Sequence, residues 1–302
     1  MSPPFQSIAL VGNSRDHRVA ECMLSLAAHL HRRGLRPLVE SASELAFEPA
    51  SVERCPPGEF ARRAQLVIAI GGDGTLLYAA RLVAGAAVPL LGVNRGRLGF
   101  LTDVSPNSML EDVDGVLAGS YTEDRRSMLA ARLERPGRPP AQALALNDVV
   151  LNKAATGRML EFETCLNGRF VNSHGGDGIV IATATGSTAY ALSCGGPIVE
   201  PGLDAWVLAP ICPHTLSDRP VVVRAGSKIE LRIAGRTELR ARVTCDGADL
   251  GDLEHGDTLH VQGAEAQITL LHPPGHDYYR LLRSKLHWGR GGQGGQGGHD
   301  GD

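Results

Sequence analysis

The sequence has few aromatic residues and no excess of positive charge. Phe, Trp and Tyr together make up 4% of its 302 residues, and 30 Lys and Arg residues are outnumbered by 33 Asp and Glu residues. A nucleic-acid-binding protein usually presents a basic stripe, often with aromatic rings on which bases stack. The composition therefore argues against nucleic acid and an anionic membrane surface as partners, and it favours a small-molecule partner.

The sequence also lacks the patterns of a metal-binding or disulfide-linked domain. Its six cysteines are scattered, with no C-x-x-C pair and no histidines at zinc-binding spacing. The longest uncharged apolar stretch, residues 82–93, is too short to cross a bilayer, and the N-terminus has no signal-peptide pattern. We therefore expect reduced, mostly buried thiols in a cytoplasmic protein without a membrane partner.

Length and patterning predict two domains. At about 150 residues per domain, the chain is long enough for two cores. Four apolar strand-like runs alternate with helical periodicity, at residues 7–11, 35–39, 66–70 and 88–93. Two such β-α-β units predict a Rossmann-like parallel sheet covered by helices, which gives an α/β domain over residues 1–120. Ser105 followed by Pro106 predicts the start of a further helix.

The pattern changes after residue 120. From 121 to 275 the chain consists of short β-rich runs separated by Gly, Pro and Asn, which predicts an all-β second domain. The apolar residues in 276–288 predict a closing helix that packs back onto the first domain. The glycine-rich residues 289–302 contain nothing that can form a core and predict a disordered tail.

A glycine-rich turn follows the third strand-like run. Residues 71–75 read Gly-Gly-Asp-Gly-Thr where a strand becomes a helix, so backbone N–H groups there can bind phosphate oxygens. It is not a Walker A loop, because no Gly-Lys-Ser/Thr follows. A carboxylate at Asp73 would repel phosphates unless it orients a hydroxyl nucleophile or helps to hold a metal, so the turn suggests phosphoryl transfer. An ordinary Gly-Asp-Gly turn at a strand end is the alternative.

Two further segments carry polar groups with more than one interpretation. Residues 175–190 combine a second Gly-Gly-Asp-Gly run with a Thr-Gly-Ser-Thr turn, whose hydroxyls either bind a ligand or cap a short helix. Asn147 and Asp148 lie in the otherwise apolar run 144–151. They either contact a ribose or an adenine or belong to a strand-end turn or a solvent-facing side of the strand.

Taken together, these motifs resemble those of bacterial NAD kinases. The resemblance rests on GGDGT (71–75), NRGRLGFLT (94–102), ND (147–148), DGIVIATATGSTAY (177–190), GGPIV (195–199) and PICPHTLSDRP (210–220). Lipid and sugar kinases share the first motif, but the combination, in matching order over nearly the whole chain before the tail, is specific. The resemblance implies a two-domain NAD kinase fold, with an α/β N-terminal domain, an all-β C-terminal domain and a cleft between them.

The resemblance also implies a reaction. The γ-phosphate of ATP, or a phosphate of polyphosphate, would be transferred to the adenosine 2′-hydroxyl of NAD to make NADP, with Mg²⁺ as the divalent metal and a homodimer or homotetramer as the assembly. Asp73 would be the catalytic base, in a phosphate-binding turn formed by Gly71, Gly72, Gly74 and Thr75. The sequence assigns no metal ligands.

The implied NAD-binding residues are Asp73, Gly74, Asn147, Asp148, Arg158, Gly175, Asp177, Thr188, Ala189, Tyr190, Ala191, Leu192 and Ser193. We further expect six glycines to let the backbone approach the dinucleotide and its phosphate donor, namely Gly71, Gly72, Gly74, Gly176, Gly178 and Gly186.

Three positions depart from the pattern of the NAD kinase family, and two functions other than NAD kinase were considered. Gly175, next to His174, stands where a basic residue is common; Ala184 replaces a common proline, and Ala248 replaces a common polar amide. A lipid or sugar kinase with the same turn is disfavoured because the sequence shows no amphipathic membrane helix. A non-catalytic dinucleotide-sensing regulator is the alternative from another class.

Overall fold

The computed structural model describes residues 5–48, 50–154, 159–235 and 240–287. The predicted tail, 289–302, lies outside this part of the chain. The strands are β1 (Ser7–Gly12), β2 (Arg36–Glu40), β3 (Glu53–Cys55), β4 (Leu66–Ile70), β5 (Leu90–Val93), β6 (Thr122–Arg135), β7 (Arg138–Ala145), β8 (Asp148–Lys153), β9 (Leu160–Leu166), β10 (Arg169–Gly176), β11 (Gly178–Ala182), β12 (Ala205–Ile211), β13 (Val221–Arg224), β14 (Ile229–Ile233), β15 (Ala241–Cys245), β16 (Ala248–Leu253) and β17 (Thr258–His272).

The helices are α1 (His17–Arg32), α2 (Phe60–Arg63), α3 (Asp73–Val83), α4 (Met109–Leu117), α5 (Tyr190–Ser193) and α6 (Tyr278–Leu286), with 3-10 turns at Pro57–Glu59 and Thr185–Thr188. Among the described residues, no helix is long and apolar enough to span a membrane.

The N-terminal region is built on parallel strands in the order β5-β4-β1-β2-β3. Its central strand β4 is buried along its whole length, as a strand covered on both faces must be. Helix α1 begins at Asp16, whose side chain accepts a hydrogen bond from the backbone N–H of Arg18, and its apolar residues at helical spacing form one buried stripe. The α/β class predicted from the alternating strand and helix signals is confirmed.

The C-terminal region consists of antiparallel strands. A six-stranded sheet has the order β13-β12-β11-β8-β15-β16, and β6, β7, β9, β10, β14 and β17 form the other layer. Side chains from both layers, including Phe162 and Trp206, make one core. The predicted all-β character of this region is confirmed.

The two regions share one sheet. Strand β17 pairs with β6 in antiparallel fashion, and its later part lies parallel to β5, with Leu270 opposite Leu90. Helix α6 follows directly, and the Lys285 ammonium lies 5.9 Å from the centre of the Phe100 ring. The chain therefore returns to the N-terminal region before the described part ends.

Several local predictions differ from the structure. The helix predicted from Pro106 begins at Met109, because 106–108 form a turn in which the Ser105 hydroxyl accepts from the backbone N–H of Asn107. Strand β3 is not among the four strand-like runs predicted for the N-terminal domain. All six cysteines are free thiols as expected, but only Cys55 and Cys245 are buried.

Candidate active site

Asp73 is the first residue of helix α3, directly after the buried strand β4 and two glycines. A side chain at Gly71 would collide with the side chain of Thr75, so this tight strand-to-helix connection requires glycine there. The connection places the Asp73 carboxylate at the amino end of an 11-residue helix. That end carries a partial positive charge, which favours anions.

The loop after β5 fixes the orientation of this carboxylate. Asp73 Oδ2 accepts from the backbone N–H of Phe100 at 2.9 Å, and Oδ1 accepts from the backbone N–H of Leu101 at 3.0 Å and from the Thr102 hydroxyl at 3.3 Å. A Cβ atom at Gly99 would collide with Oδ1, so glycine lets the loop close over Asp73. Each carboxylate oxygen has two lone pairs, so Oδ2 keeps one for a further donor.

A cavity of about 360 Å³ lies beside Asp73, and we call it the basic cavity. It is lined by Arg18, Gly72, Asp73, Arg95, Arg97, Gly99, Thr102 and Lys285. Its four cationic side chains are not among the site residues predicted from the sequence. Arg95 and Arg97 could have been predicted, because they belong to the motif at 94–102. Arg18 and Lys285 lie on helices that are distant in the sequence, α1 and α6.

A larger cavity of about 650 Å³ lies between α3 and the six-stranded sheet, and we call it the β8 cavity. Alternate residues of β8 face it, whereas the residues between them face the core. Its lining residues are Leu77, Asn147, Asp148, Val150, Asn152, Lys153, Ala154, Ala189, Tyr190, Arg242, Thr244, Asp246 and Gly247. Leu77 lies one helical turn after Asp73, so α3 separates the two cavities by one turn.

Asn147 and Asp148 lie where β7 ends and β8 begins, and both face the β8 cavity. The Asp246 carboxylate accepts from the backbone N–H groups of Leu146, Asn147 and Asp148, which fixes this junction. The Asn147 Oδ1 atom is buried and has no hydrogen-bond partner in the described structure. A buried acceptor without a donor indicates that a ligand or water supplies one.

The carboxyl group of Asp148 has an altered acidity. Its burial, together with the nearby charge of Asp246, raises the pKa of Asp148 to about 7. Burial also raises the pKa of Asp246, although the backbone hydrogen bonds oppose that effect. Near neutral pH, Asp148 therefore exists partly as a carboxylic acid, which can donate one hydrogen bond and accept another.

The β8 cavity also contains a lysine held by an aspartate. Lys153 lines the cavity, and its ammonium lies 2.6 Å from Asp177 Oδ1. Asp177 thus reaches the cavity through Lys153. Arg242 and Thr244 lie on β15, which pairs with β8, so they extend the same wall of the cavity. The cavity therefore combines donors and acceptors with apolar side chains at Val150 on the sheet and Leu77 on α3.

The comparisons with known proteins agree over nearly the whole chain. Residues 8–121 match the model of the ATP-NAD kinase N-terminal domain, and residues 146–272 match that of the ATP-NAD kinase C-terminal domain. The chain belongs to the NAD kinase family. The residue pattern is thereby confirmed as that of an NAD kinase, a phosphotransferase that makes NADP, and neither a lipid or sugar kinase nor a non-catalytic regulator is favoured.

Individual relatives support the same assignment. The NAD kinase of Nitrosococcus oceani is 43% identical, and the match covers 96% of this chain and 99% of that protein. The NAD kinase of an Azoarcus species is 44% identical, and the match covers 95% of this chain and 98% of that protein. The crystal structure of an NAD kinase from Archaeoglobus fulgidus in complex with ATP has 25% identity and a TM-score of 0.72, covering 93% of this chain and 98% of that one. Yeast NADH kinase complexed with NADH shares the fold, with a TM-score of 0.87 and 24% identity. The match covers 95% of this chain and 88% of that one.

The remaining residues expected to bind NAD occupy other positions in this NAD kinase. Gly74 and Thr75 line a third cavity of about 450 Å³, together with residues of the β1–α1 loop. Thr188 donates to the carbonyl of Thr185, and Thr188, Ala191, Leu192 and Ser193 are not among the residues lining these three cavities. Arg158 lies outside the described residues.

Gly175 lies within the extended strand β10, and its carbonyl accepts from the backbone N–H of His214. The neighbouring His174 does not supply the missing basic group, because its ring is buried. It stacks on Phe162 and lies 2.7 Å from Asp218 Oδ2.

Three of the six selected glycines lie against the backbone of other residues. A Cβ at Gly186 would collide with the backbone of Asn147, one at Gly178 with the carbonyl of Leu151, and one at Gly176 would lie 2.9 Å from the carbonyl of Ile211. These close contacts position strands and turns, and the expected approach of the backbone to a ligand stays a prediction. In the same region, the Ser187 hydroxyl bonds to the backbone of Ala184 and Val199 and serves the turn itself.

Proposed function

We propose that this NAD kinase binds NAD in the β8 cavity and transfers the γ-phosphoryl group of ATP to the adenosine 2′-hydroxyl, with Asp73 as the base. The observation that carries the proposal is the Asp73 carboxylate, which the loop after β5 holds at the basic cavity, one helical turn before Leu77 of the β8 cavity, with a lone pair of Oδ2 unused. A sugar hydroxyl of a ligand in the β8 cavity and a phosphate of a ligand in the basic cavity would meet near Asp73 Oδ2.

The β8 cavity supplies complementary groups for a dinucleotide. The unpaired Asn147 Oδ1 accepts from a ribose hydroxyl or an adenine amino group. Asp148 presents beside it a carboxyl group that is partly protonated near neutral pH, and Tyr190, half exposed at the cavity wall, offers a ring and a hydroxyl. NAD carries hydroxyls, amides and a base edge that match these groups. Ala189 lines the same cavity.

The chemical step needs a proton acceptor and a fixed geometry. The 2′-oxygen forms a bond to the γ-phosphorus while the bond from that phosphorus to the bridging oxygen of ADP breaks. The hydroxyl proton passes to Asp73 Oδ2. Because a carboxylate is a weak base toward a sugar hydroxyl, its main contribution is orientation followed by late proton acceptance. Positioning and neutralisation of phosphate charge account for most of the rate.

The expected divalent metal fits as part of the nucleotide rather than as a resident ion. Asp73 is the only carboxylate among the described residues that line the basic cavity, and its oxygens already accept hydrogen bonds from the loop. Among the described residues, the one cluster of metal-type ligands, Asp103 with His272 and His276, does not line this cavity. We therefore write the substrate as magnesium-bound ATP, in which phosphates and water coordinate the ion.

A homodimer or homotetramer in the cytoplasm remains our prediction for the assembly. Two edge strands expose neighbouring apolar side chains, Val221 and Val222 on β13 and Phe170 and Val171 on β10. Exposed apolar edges of this kind favour association with another chain. Light scattering on the eluting peak of a sizing column measures the number of subunits.

The function is tested by giving the purified protein magnesium, NAD and one donor at a time. NADP is measured with an NADP-specific dehydrogenase, with ATP and inorganic polyphosphate as the two donors. We expect NADP to form with ATP. Absence of NADP with both donors would overturn the proposed function, whereas formation only with polyphosphate would overturn the choice of donor.

A further inference from the structure

Arg126 is a buried cation that contacts a turn next to the β8 cavity. It lies on β6, its side chain is 4% exposed, and its Nη1 atom donates to the Thr185 hydroxyl at 3.1 Å. Thr185 begins the 3-10 turn that leads to Ala189 and Tyr190, which line the β8 cavity. The guanidinium therefore fixes the start of a segment that supplies two lining residues of the proposed NAD site.

The same guanidinium belongs to a series of charges that reaches the loop after β5. Nη2 of Arg126 donates to Asp124 Oδ2 at 2.5 Å, and this carboxylate oxygen lies 3.4 Å from Nε2 of His272. Nδ1 of His272 lies 2.9 Å from Asp103 Oδ2. We call Arg126, Asp124, His272 and Asp103 the charge series.

The charge series ends next to a group that holds the proposed base. Asp103 directly follows Thr102, whose hydroxyl donates to Asp73 Oδ1 at 3.3 Å. We propose that Arg126 is a positioning residue, which through the charge series holds the turn at Thr185 and the Asp73 carboxylate in one fixed relation. The proposal rests on the proposed function, because that function assigns NAD to the cavity beside the turn and the role of base to the carboxylate.

The strands that carry the charge series are those that join the two regions. On β6, Asp124 and Arg126 lie opposite Leu270 and Ile268 of β17, and His272 is the last residue of β17. Strand β17 also pairs with β5, and the loop after β5 contains the last member of the series. Hydrogen-bonded side chains on rigid strands can transmit a displacement from one site to another.

Stability alone does not explain why these charges are buried. Taking a charged group out of water is costly, and a buried ion pair often stabilises a protein no better than apolar side chains of similar volume. Charged hydrogen bonds, however, are restricted in distance and angle, so they fix the relative position of the elements that carry them. Phosphoryl transfer depends on such accuracy, because a misplacement of about 1 Å can lower the rate about 100-fold.

Strand β6 also supplies a matched control. Asp124 and Arg126 are two residues apart and lie on one face of the strand, whereas Arg125 lies on the other face. The side chain of Arg125 is 71% exposed, and its guanidinium lies 3.8 Å from the Glu123 carboxylate. Replacing Arg125 therefore removes one positive charge from the same strand without touching the charge series.

The kinetic test compares Arg126→Met, Arg126→Lys and the control Arg125→Met with the wild type, with NAD and magnesium-bound ATP varied in turn. Because Arg126→Met removes both hydrogen bonds, we expect kcat to fall by about 10- to 100-fold while KM for either substrate changes by less than about threefold. Arg126→Lys should recover part of kcat, because an ammonium can still pair with Asp124 but lacks the planar fork of a guanidinium. An unchanged kcat in Arg126→Met, or an equal loss in Arg125→Met, would overturn the proposal.

A milder variant breaks only the contact at the turn. Thr185→Val keeps the shape of the side chain but cannot accept from Arg126, and it leaves the ion pair with Asp124 in place. We expect kcat to fall by about 3- to 10-fold, and the double variant with Arg126→Met should be no slower than Arg126→Met alone, because both changes remove the same contact. Losses that multiply in the double variant would show that the two residues act independently and would contradict the proposal.

Hydrogen exchange tests the same connection without turnover, so it gives a result even if the wild type makes no NADP. The backbone N–H groups of Phe100 and Leu101 donate to Asp73 in the protein without substrates. We expect the peptide that contains these two groups to exchange at least about threefold faster in Arg126→Met than in the wild type or Arg125→Met, with the peptides of α1 unchanged. Unchanged exchange of that peptide in Arg126→Met would overturn the proposal, whereas a wild type that makes no NADP would overturn the proposed function alone.

Discussion

The Asp103 carboxylate lies 2.9 Å from Nδ1 of His272, a residue at the end of β17. Asp103 directly follows Thr102, whose hydroxyl donates to Asp73. Asp103 also lies 2.7 Å from Nδ1 of His276. The loop that orients the proposed base is therefore tied, at the next residue, to the strand that joins the two regions.

This contact belongs to a longer buried series of charges. His272 Nε2 lies 3.4 Å from Asp124 Oδ2, and Arg126 binds the same carboxylate and donates to the Thr185 hydroxyl at 3.1 Å. Burial alone would lower the pKa of His272, but the hydrogen bond to Asp103 and the nearby carboxylate of Asp124 outweigh it and raise the pKa. Burial would raise the pKa of Asp103, and the two histidines lower it to about 2.

These shifts predict how stability depends on pH. His272 has a folded pKa above its ordinary value, so its stabilising contribution is fully present below about pH 6.5 and is lost as pH rises through the folded pKa. Urea unfolding of His272→Gln against the wild type should show the larger difference at pH 6 and a smaller one at pH 9. His17→Gln, at an exposed ring, is the control. A difference that grows toward pH 9 would contradict this account.

Asp148 gives the opposite dependence. Its raised pKa means that the folded protein holds a proton that the unfolded chain releases, so stability falls between about pH 4 and pH 7. Asp148→Asn should therefore gain stability relative to the wild type as pH rises, reaching a plateau above pH 7. We expect a Tm several degrees above that of the wild type at pH 8. Asp249→Asn, at an exposed carboxylate, should show no such trend.

Asn147 should act on NAD affinity more than on folding. Asn147→Ala removes the unpaired buried Oδ1 atom, so the free protein loses no hydrogen bond made by that atom. The bound dinucleotide loses its acceptor, and KM for NAD should rise about tenfold, with KM for ATP nearly unchanged. Steady-state kinetics with each substrate varied in turn makes this comparison. An unchanged KM for NAD would remove Asn147 from the binding residues.

Gly186 should be important for folding. A methyl group there collides with the backbone of Asn147, so Gly186→Ala should lower the free energy of unfolding by about 1 to 3 kcal/mol. Gly115→Ala is the control, because Gly115 lies in α4 with open space around it and alanine favours helix. Chemical denaturation distinguishes the two. Equal stability of Gly186→Ala and the wild type would show that the turn can move away from Asn147.

The sequence predicts the parts of this molecule that depend on local pattern. The spacing of apolar residues and the position of the glycines predict the β4–α3 unit around Asp73. The polar pair at 147–148 can be recognised because it interrupts an apolar run. The basic cavity could not be predicted in this way, because Arg18 and Lys285 meet only after α1 and α6 have packed. For the same reason, sequence spacing could not show that Gly186 makes room for the backbone of Asn147.

The most direct test of the account is the turnover of Asp73→Asn with saturating NAD and magnesium-bound ATP. The substitution keeps the size of the side chain but removes its proton-accepting charge, so we predict a fall in kcat of about 10²- to 10⁴-fold. NAD affinity, measured by calorimetry, should stay within about threefold of the wild type, because the β8 cavity is unaltered. A folded variant with kcat within about twofold of the wild type would contradict the role assigned to Asp73.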